Sequence, residues 1–158
     1  MKPHAVAITI ESVAQETGSA WPPALAARIG GRAKRRLGDA FGLSQFGVNE
    51  VTLAPGARSA LRHWHTREDE FVLILEGVAT LETEAGTQTL TPGMCAGFAA
   101  GVADAHALVN RSTERVRYLE IGTRDGGDCA FYPDDDVMLV PTPEGVRAHH
   151  KDGRPYES

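Results

Sequence analysis

Residues 56–77 read Gly56-Ala57-Arg58-Ser59-Ala60-Leu61-Arg62-His63-Trp64-His65-Thr66-Arg67-Glu68-Asp69-Glu70-Phe71-Val72-Leu73-Ile74-Leu75-Glu76-Gly77. On a strand, residues two apart share a face, so His63 and His65 aim together. Four turn residues later, Glu70 opens a second strand and returns its carboxylate to that face. Two imidazoles and a carboxylate converging from paired strands suit a divalent transition metal. The same parity turns Ser59 and Leu61 inward and Arg58, Arg62 and Trp64 outward. Val72 and Ile74 then line the interior, yet Phe71, Leu73 and Leu75 on the other face are apolar too. A strand apolar on both faces is normally covered on both, and an uncovered one leaves the kind of patch that marks an interface. The expectation is a homodimer, or coverage by the N-terminal arm.

Working outward, Pro55-Gly56, Gly77, Ala85-Gly86, Pro92-Gly93, Gly97 and Gly101 cut residues 46–123 into short pieces. The pieces Phe46–Ala54, Ser59–His65, Glu70–Glu76, Val78–Glu82, Thr87–Thr91, Cys95–Phe98, His106–Asn110 and Val116–Thr123 read as strands of an all-β sandwich or small barrel. His106 opens one of them and could supply a third imidazole. On the last, Val116, Tyr118 and Glu120 share a face opposite Arg115, Arg117, Leu119 and Ile121. With the arginines outward, Tyr118 and Glu120 point in, beside a lining of Leu61, Val72, Ile74, Phe98 and Leu108. A buried Glu needs a partner, so Glu120 either stands near the metal or signals a bulge that shifts the register.

The pattern His-x-His-x4-Glu-x6-Gly, followed by Gly-rich turns and His-x3-Asn, resembles the two motifs of the cupin superfamily. The first spans Gly56–Gly77, the second Gly93–Asn110, and the resemblance covers Phe46–Thr123. It implies a double-stranded β-helix, or jelly-roll, barrel over 46–123. Residues 1–45 would form an N-terminal arm and 124–158 a C-terminal extension. It also implies one metal ion (Fe, Mn, Ni or Zn) held by His63, His65, Glu70 and His106. Two departures stand out. Six residues separate Gly56 from His63 where the family usually has five, and Ala99-Ala100-Gly101 plus four residues precede His106 where Pro-x-Gly-x2-His is usual. The longer loop could displace His106.

The family's precedents include dioxygenation of a chelating metabolite and isomerisation of a sugar phosphate. With Arg58 and Arg62 outward and no inward Lys or Arg evident, the residues favour dioxygenase-like chemistry on a small oxygen-bearing ligand. Glu120 or Tyr118 would handle protons. The alternatives are a sugar-phosphate isomerase and a non-catalytic, metal-dependent binding protein.

The remaining residues bound the problem. The chain has 158 residues, 42% hydrophobic and 23% charged, with a net charge of −5, and reads as one globular domain with no pull toward nucleic acid. No apolar run approaches the ~20 residues of a membrane span. Met1-Lys2-Pro3-His4 lacks the features of a secretory signal. Cys95 and Cys129 are too few for a disulfide framework and suit a cytoplasmic protein, as small core fillers. Ile10–Gly18 predicts a short helix with Ser12 as N-cap, broken by Trp21-Pro22-Pro23. Arg32, Lys34, Arg35 and Arg36 could meet phosphate but read as a solvated face. Glu68 is a lesser ligand candidate. Asp134-Asp135-Asp136 and His149-His150 read as polar turns, Val137–Val140 as a further strand, and everything from Pro141 as a polar tail.

Overall fold

The computed structural model describes residues 6–19 and 21–157; Met1-Lys2-Pro3-His4, read above for targeting signals, and Ser158 lie outside them. In chain order the strands are β1 (Glu16–Thr17), β2 (Arg32–Arg36), β3 (Phe46–Leu53), β4 (Trp64–His65), β5 (Glu70–Glu76), β6 (Ala79–Thr83), β7 (Gly86–Leu90), β8 (Cys95–Phe98), β9 (Ala107–Val109), β10 (Val116–Thr123), β11 (Ala130–Tyr132), β12 (Val137–Thr142) and β13 (Gly145–His149). Helical turns are confined, among the described residues, to Ile10–Ser12, α1 (Pro23–Ala26) and α2 (Leu37–Ala40). None of these is long and apolar enough to cross a membrane.

The strands form two facing layers, the jelly-roll barrel that the sequence predicts. One layer is a six-stranded antiparallel sheet in the order β1-β2-β3-β10-β5-β8. The other is built from the sheets β7-β6-β9 and β13-β12-β11-β4. Residues 58–65 join its two halves: Arg58 bridges Val109, His63 bridges His106, and β4 pairs with β11. Val51, Leu53, Val72, Ile74, Leu90 and Val116 pack between the layers with 0–2% of their surface exposed. The turn after β5 depends on Gly77, at φ 80°. A Cβ there would also lie 2.3 Å from the Arg115 carbonyl oxygen, so a side chain is excluded twice over.

Strand parity holds in the large sheet up to one bulge in β5, beyond which Glu76 turns outward to Arg115 and Arg117. Register sets Tyr118 opposite Val51 and Ile74, and Glu120 opposite Asn49 and Val72. A bulge does occur where β5 meets β10, between Arg117 and Tyr118. It absorbs Leu75 and leaves Glu120 on the inner face.

Outside residues 46–123 the structure differs from the sequence reading. Ile10–Gly18 is no helix: after one 3-10 turn the chain extends, and Glu16 and Thr17 pair with Lys34 and Ala33. An isolated helix of that length is marginal in water, whereas the edge of β2 offers backbone partners and Arg36 holds the Glu16 carboxylate at 2.9 Å. Ser12 ends the turn instead of capping it, donating to the Thr9 carbonyl. The segment after Pro141 is no free tail. β12 and β13 form a hairpin, and the Tyr156 hydroxyl donates to the Asp136 carbonyl. The three consecutive aspartates clasp the extension, Asp134 to Arg62, Asp135 to Arg28 and Asp136 to His150. Cys95 is exposed and Cys129 half-buried, so neither fills the core. Trp64 packs on Phe131 of β11, with ring centres 5.2 Å apart, and so does not join the exposed patch.

Candidate functional site

His63 and His106 face each other across a backbone bridge, His63 N–H donating to the His106 carbonyl at 3.2 Å and the reverse bond at 2.9 Å. This pairing holds His106 in place despite the longer loop before it. His65 follows on β4, and Glu70 starts β5 after the 66–69 turn. The four side chains meet at the Glu70 carboxylate. Its Oε2 lies 3.1 Å from His106 Nε2, 3.8 Å from His65 Nε2 and 3.9 Å from His63 Nε2. His63, Glu70 and His106 form one compact group of potential metal donors, and His65 stands at its edge, beside the same carboxylate oxygen.

The remaining ring nitrogens explain why the Nε2 atoms point inward. His63 Nδ1 is 2.8 Å from the Leu61 carbonyl oxygen, and His65 Nδ1 is 2.6 Å from Asp128 Oδ2. Both partners are acceptors, so each Nδ1 carries the proton and each Nε2 keeps a lone pair for a metal. His106 Nδ1 is buried with no partner among the described residues, and its ring is held by stacking on Phe98 with centres 3.4 Å apart. Burial pushes His63 down to about 4, with the Glu70 charge only partly offsetting it, so this imidazole is neutral at pH 7. For Glu70 burial acts upward, but the hydrogen bond and charge of His106, aided by His63 and His65, hold it below the usual carboxylate range. Three imidazoles and one carboxylate are a donor set that fits a divalent transition metal.

Two elements of the site have no sequence signal. Asp128, in a glycine-rich loop, accepts from His65 and also from the Arg67 and Glu68 backbone N–H groups at 2.8 and 3.2 Å. One carboxylate thus shapes the turn between His65 and Glu70. His65, Glu68 and Asp128 also form a compact donor group, but the His65–Asp128 contact is a hydrogen bond and Glu68 accepts from the Asp125 N–H at 2.8 Å. Glu68 therefore lies outside the four-donor convergence. Tyr132 stacks on His63 at 5.2 Å and meets the edge of Trp21 at 5.1 Å. Trp21 comes from a stretch that reads only as a break, and Tyr132 from one next to a polar turn.

Tyr118 and Glu120 share the interior with these donors. The Tyr118 hydroxyl is buried and, among the described residues, makes no hydrogen bond, and burial raises its pKa well above the ordinary value. It stays protonated as a donor. Burial and then the Glu70 charge raise the Glu120 carboxyl, against the pull of Arg32 and Lys34.

Those cations are the main correction to the sequence reading. β2 pairs with β3 so that Arg32 faces Leu53, Lys34 faces Val51 and Arg36 faces Asn49. Leu53 and Val51 are core residues, so the alternation sends Arg32, Lys34 and Arg36 to the inner face. Arg32, Lys34 and Arg35 are half-buried and only Arg36 is exposed, so most of the cluster is not a solvated face, and Arg32 and Lys34 stand on the inner side. Arg32 Nη2 lies 3.7 Å from Glu120 Oε2. Arg58 and Arg62 do face outward as expected, toward Glu82, Glu84 and Asp134.

Residues 49–122 match the cupin domain family. A sugar phosphate isomerase of the cupin superfamily from Silicibacter pomeroyi is 42% identical over 96% of this chain and 97% of its own, with a TM-score of 0.91. The chain belongs to the cupin superfamily. A protein from Acidithiobacillus ferrooxidans, provisionally described as a sugar phosphate isomerase, is 32% identical over 80% of this chain and 81% of its own, with a TM-score of 0.71. The polyketide cyclase RemF from Streptomyces resistomycificus, 20% identical over 77% of this chain and 80% of its own, shares the fold at a TM-score of 0.63. No curated protein matches the chain in sequence.

Proposed function

We propose that the chain is a metal-dependent isomerase that interconverts an aldose phosphate and the corresponding ketose phosphate. The observation that carries this reading is Glu120, an ionisable group outside the donor set that faces the same interior as the four convergent donors. A pure binding module has no need of it, whereas proton transfer at carbon does. The 42% identity to a sugar phosphate isomerase over nearly the whole chain supports the reaction class. The dioxygenase-like alternative rested on an interior without cations, and Arg32 and Lys34 remove that ground.

A divalent ion held by His63, His65, Glu70 and His106 would supply Lewis-acid polarisation of the substrate's carbonyl and hydroxyl oxygens. The Glu120 carboxylate takes the proton from the carbon beside the carbonyl, and the C–H electron pair becomes the C=C bond of an enediol. The resulting carboxylic acid returns the proton to the former carbonyl carbon, while a hydroxyl proton passes from one oxygen to the other. No electrons enter or leave. The raised Glu120 pKa brings acid and base forms closer to balance near neutrality. The Tyr118 hydroxyl, kept protonated by burial, can donate to a substrate oxygen.

The test is NMR in D2O on metal-loaded protein with a panel of aldose and ketose phosphates. The expected result is conversion of at least one pair with solvent deuterium entering at C1 or C2, and a Glu120→Gln variant with kcat lower by roughly 10²- to 10⁴-fold. Fully loaded protein that neither exchanges nor converts any member defeats the reading. Substrate-dependent oxygen uptake would move the protein to the dioxygenase-like class.

A further inference from the structure

A cavity of about 420 Å³ opens beside β2, lined among others by Ser19, Trp21, Arg32, Lys34, Arg36 and Glu16. Its size falls within the roughly 300–1,000 Å³ of small-ligand clefts. Two of its walls are one step from the candidate metal centre. Arg32 leans along the inner face to within 3.7 Å of Glu120, although its register partner is Leu53, at the far end of β3. Trp21 meets Tyr132, which stacks on His63.

The charges in this cavity do not close. Arg36 is neutralised by Glu16, at 2.9 and 3.2 Å. Arg32 has only the long contact to Glu120, and its Nε is buried with no acceptor among the described residues. A buried donor without a partner is costly and rare in folded proteins. Lys34, half-buried, pairs with no carboxylate among the described residues; burial and the neighbouring Arg32 and Arg36 depress its pKa. Arg32 and Lys34 thus line one cleft with no close carboxylate on Lys34 and a spare N–H on the Arg32 guanidinium behind it, a setting that an anion with several acceptor oxygens would complete.

We propose that Arg32 and Lys34 form a phosphate-monoester subsite, holding the far end of a substrate whose reacting carbons lie at Glu120. The assignment rests on the isomerase reading for the nature of the rest of the substrate, but the subsite itself can be tested without turnover. β2 supplies its own control, because Arg35 alternates to the opposite face and pairs with Glu50 at 3.7 Å.

The experiment is calorimetric titration of inorganic phosphate into metal-loaded protein at constant ionic strength, comparing wild type, Arg32→Gln/Lys34→Gln and Arg35→Gln. Metal content of each variant is measured in parallel as a check on the fold. The expected result is saturable binding to wild type, weakened about 10- to 100-fold in the double variant and unchanged in Arg35→Gln. Wild-type protein that binds no phosphate at millimolar concentration overturns the proposal, and that arm needs no variant to fold. Binding retained in the double variant at full metal content overturns it too, since phosphate would then be held elsewhere. Phosphate binding with the expected dependence but no sugar conversion leaves the subsite standing and sinks the isomerase. Conversion with KM unchanged in the double variant does the reverse.

Discussion

The two ends of the barrel are made from the same strands and could hardly differ more. Along β10 the inward residues run Val116, Tyr118, Glu120; along β3, in the opposite direction, they run Leu53, Val51, Asn49; along β5, again reversed, Ile74, Val72, Glu70. The Val116 end is dry: Val116 and Leu53 are fully buried, Ile74 nearly so, and Leu90 and Leu81 fill the gap from the facing layer. At the Glu120 end three imidazoles and two carboxylates gather, the Arg32 guanidinium reaches in to 3.7 Å from Glu120, and among the described residues His106 Nδ1 is left without a partner. Alternation decides which face a side chain takes, but position along the strand decides whether that face is core or site. The dry end supplies the rigidity that holds the polar end in one geometry.

The contrast is broken most directly at the mouth. Wild-type protein purified without chelators is expected to carry about one divalent ion per chain, and His63→Ala/His65→Ala none, by elemental mass spectrometry. Wild-type protein that stays metal-free on titration would leave the open end without its proposed purpose. At the other end Ile74→Ala, at a 1%-exposed site, should cost about 2–5 kcal/mol in urea denaturation and leave metal content unchanged. Loss of metal there would mean that the ends are not separable.

Acid sharpens the difference. His63 falls from 6.5 unfolded to about 4 folded, so between those values the unfolded chain binds the extra proton. In metal-free protein stability is therefore full above pH 6.5 and declines as pH drops toward 4, by about 3 kcal/mol at most from this residue. His63→Gln should flatten that slope, and a slope that survives the substitution removes His63 as its source. Next in size, Asp128→Asn frees the His65 ring and should weaken metal affinity about 10- to 100-fold, read by competition with a chelating dye. Unchanged affinity would make Asp128 a loop-shaping residue alone.

The smallest effect on folding belongs to the outer face. Phe46 and Phe71 are 40% and 39% exposed there, beside half-buried Leu119 and Ile121. The N-terminal segment instead lies by the charged part of the same outer face, where Glu11 and Gln15 line a cleft with Arg35, Glu50 and Arg117. We propose that the apolar part pairs with a second copy of the chain. Phe71→Glu should then turn a dimer into a monomer in sedimentation while changing monomer stability by less than about 0.5 kcal/mol. A wild-type monomer would refute this.

How much was legible in the sequence follows from the range over which each feature is encoded. His63, His65 and Glu70 fall within eight residues, and period-two alternation carries them to one face without further information. The inward placement of Tyr118 and Glu120 was readable for the same reason, and the bulge at Leu75 did not disturb it. Arg32 and Lys34 were misread because a run of basic residues flanked by Gly30, Gly31 and Gly38 has no strand signature of its own. It becomes a strand only because β3 offers it an edge. Asp128, Tyr132 and Trp21 were invisible for a related reason, as each reaches the site from a segment whose local pattern says loop or break.

From sequence alone, then, came an all-β sandwich or barrel and the shared face of His63, His65 and Glu70, consequences of alternation and turn spacing acting over a few residues, while the jelly-roll class and His106 as a fourth donor came from the resemblance of the two motifs to the cupin superfamily. Tertiary structure alone decided that the N-terminal arm extends the sheet and turns Lys34 inward, that Asp128 orients His65, and that β11 sets Tyr132 against the His63 ring. These depend on which distant backbone edges and side chains meet, and hydrogen bonds across 60 or more residues, such as His65 to Asp128, leave no local pattern to read.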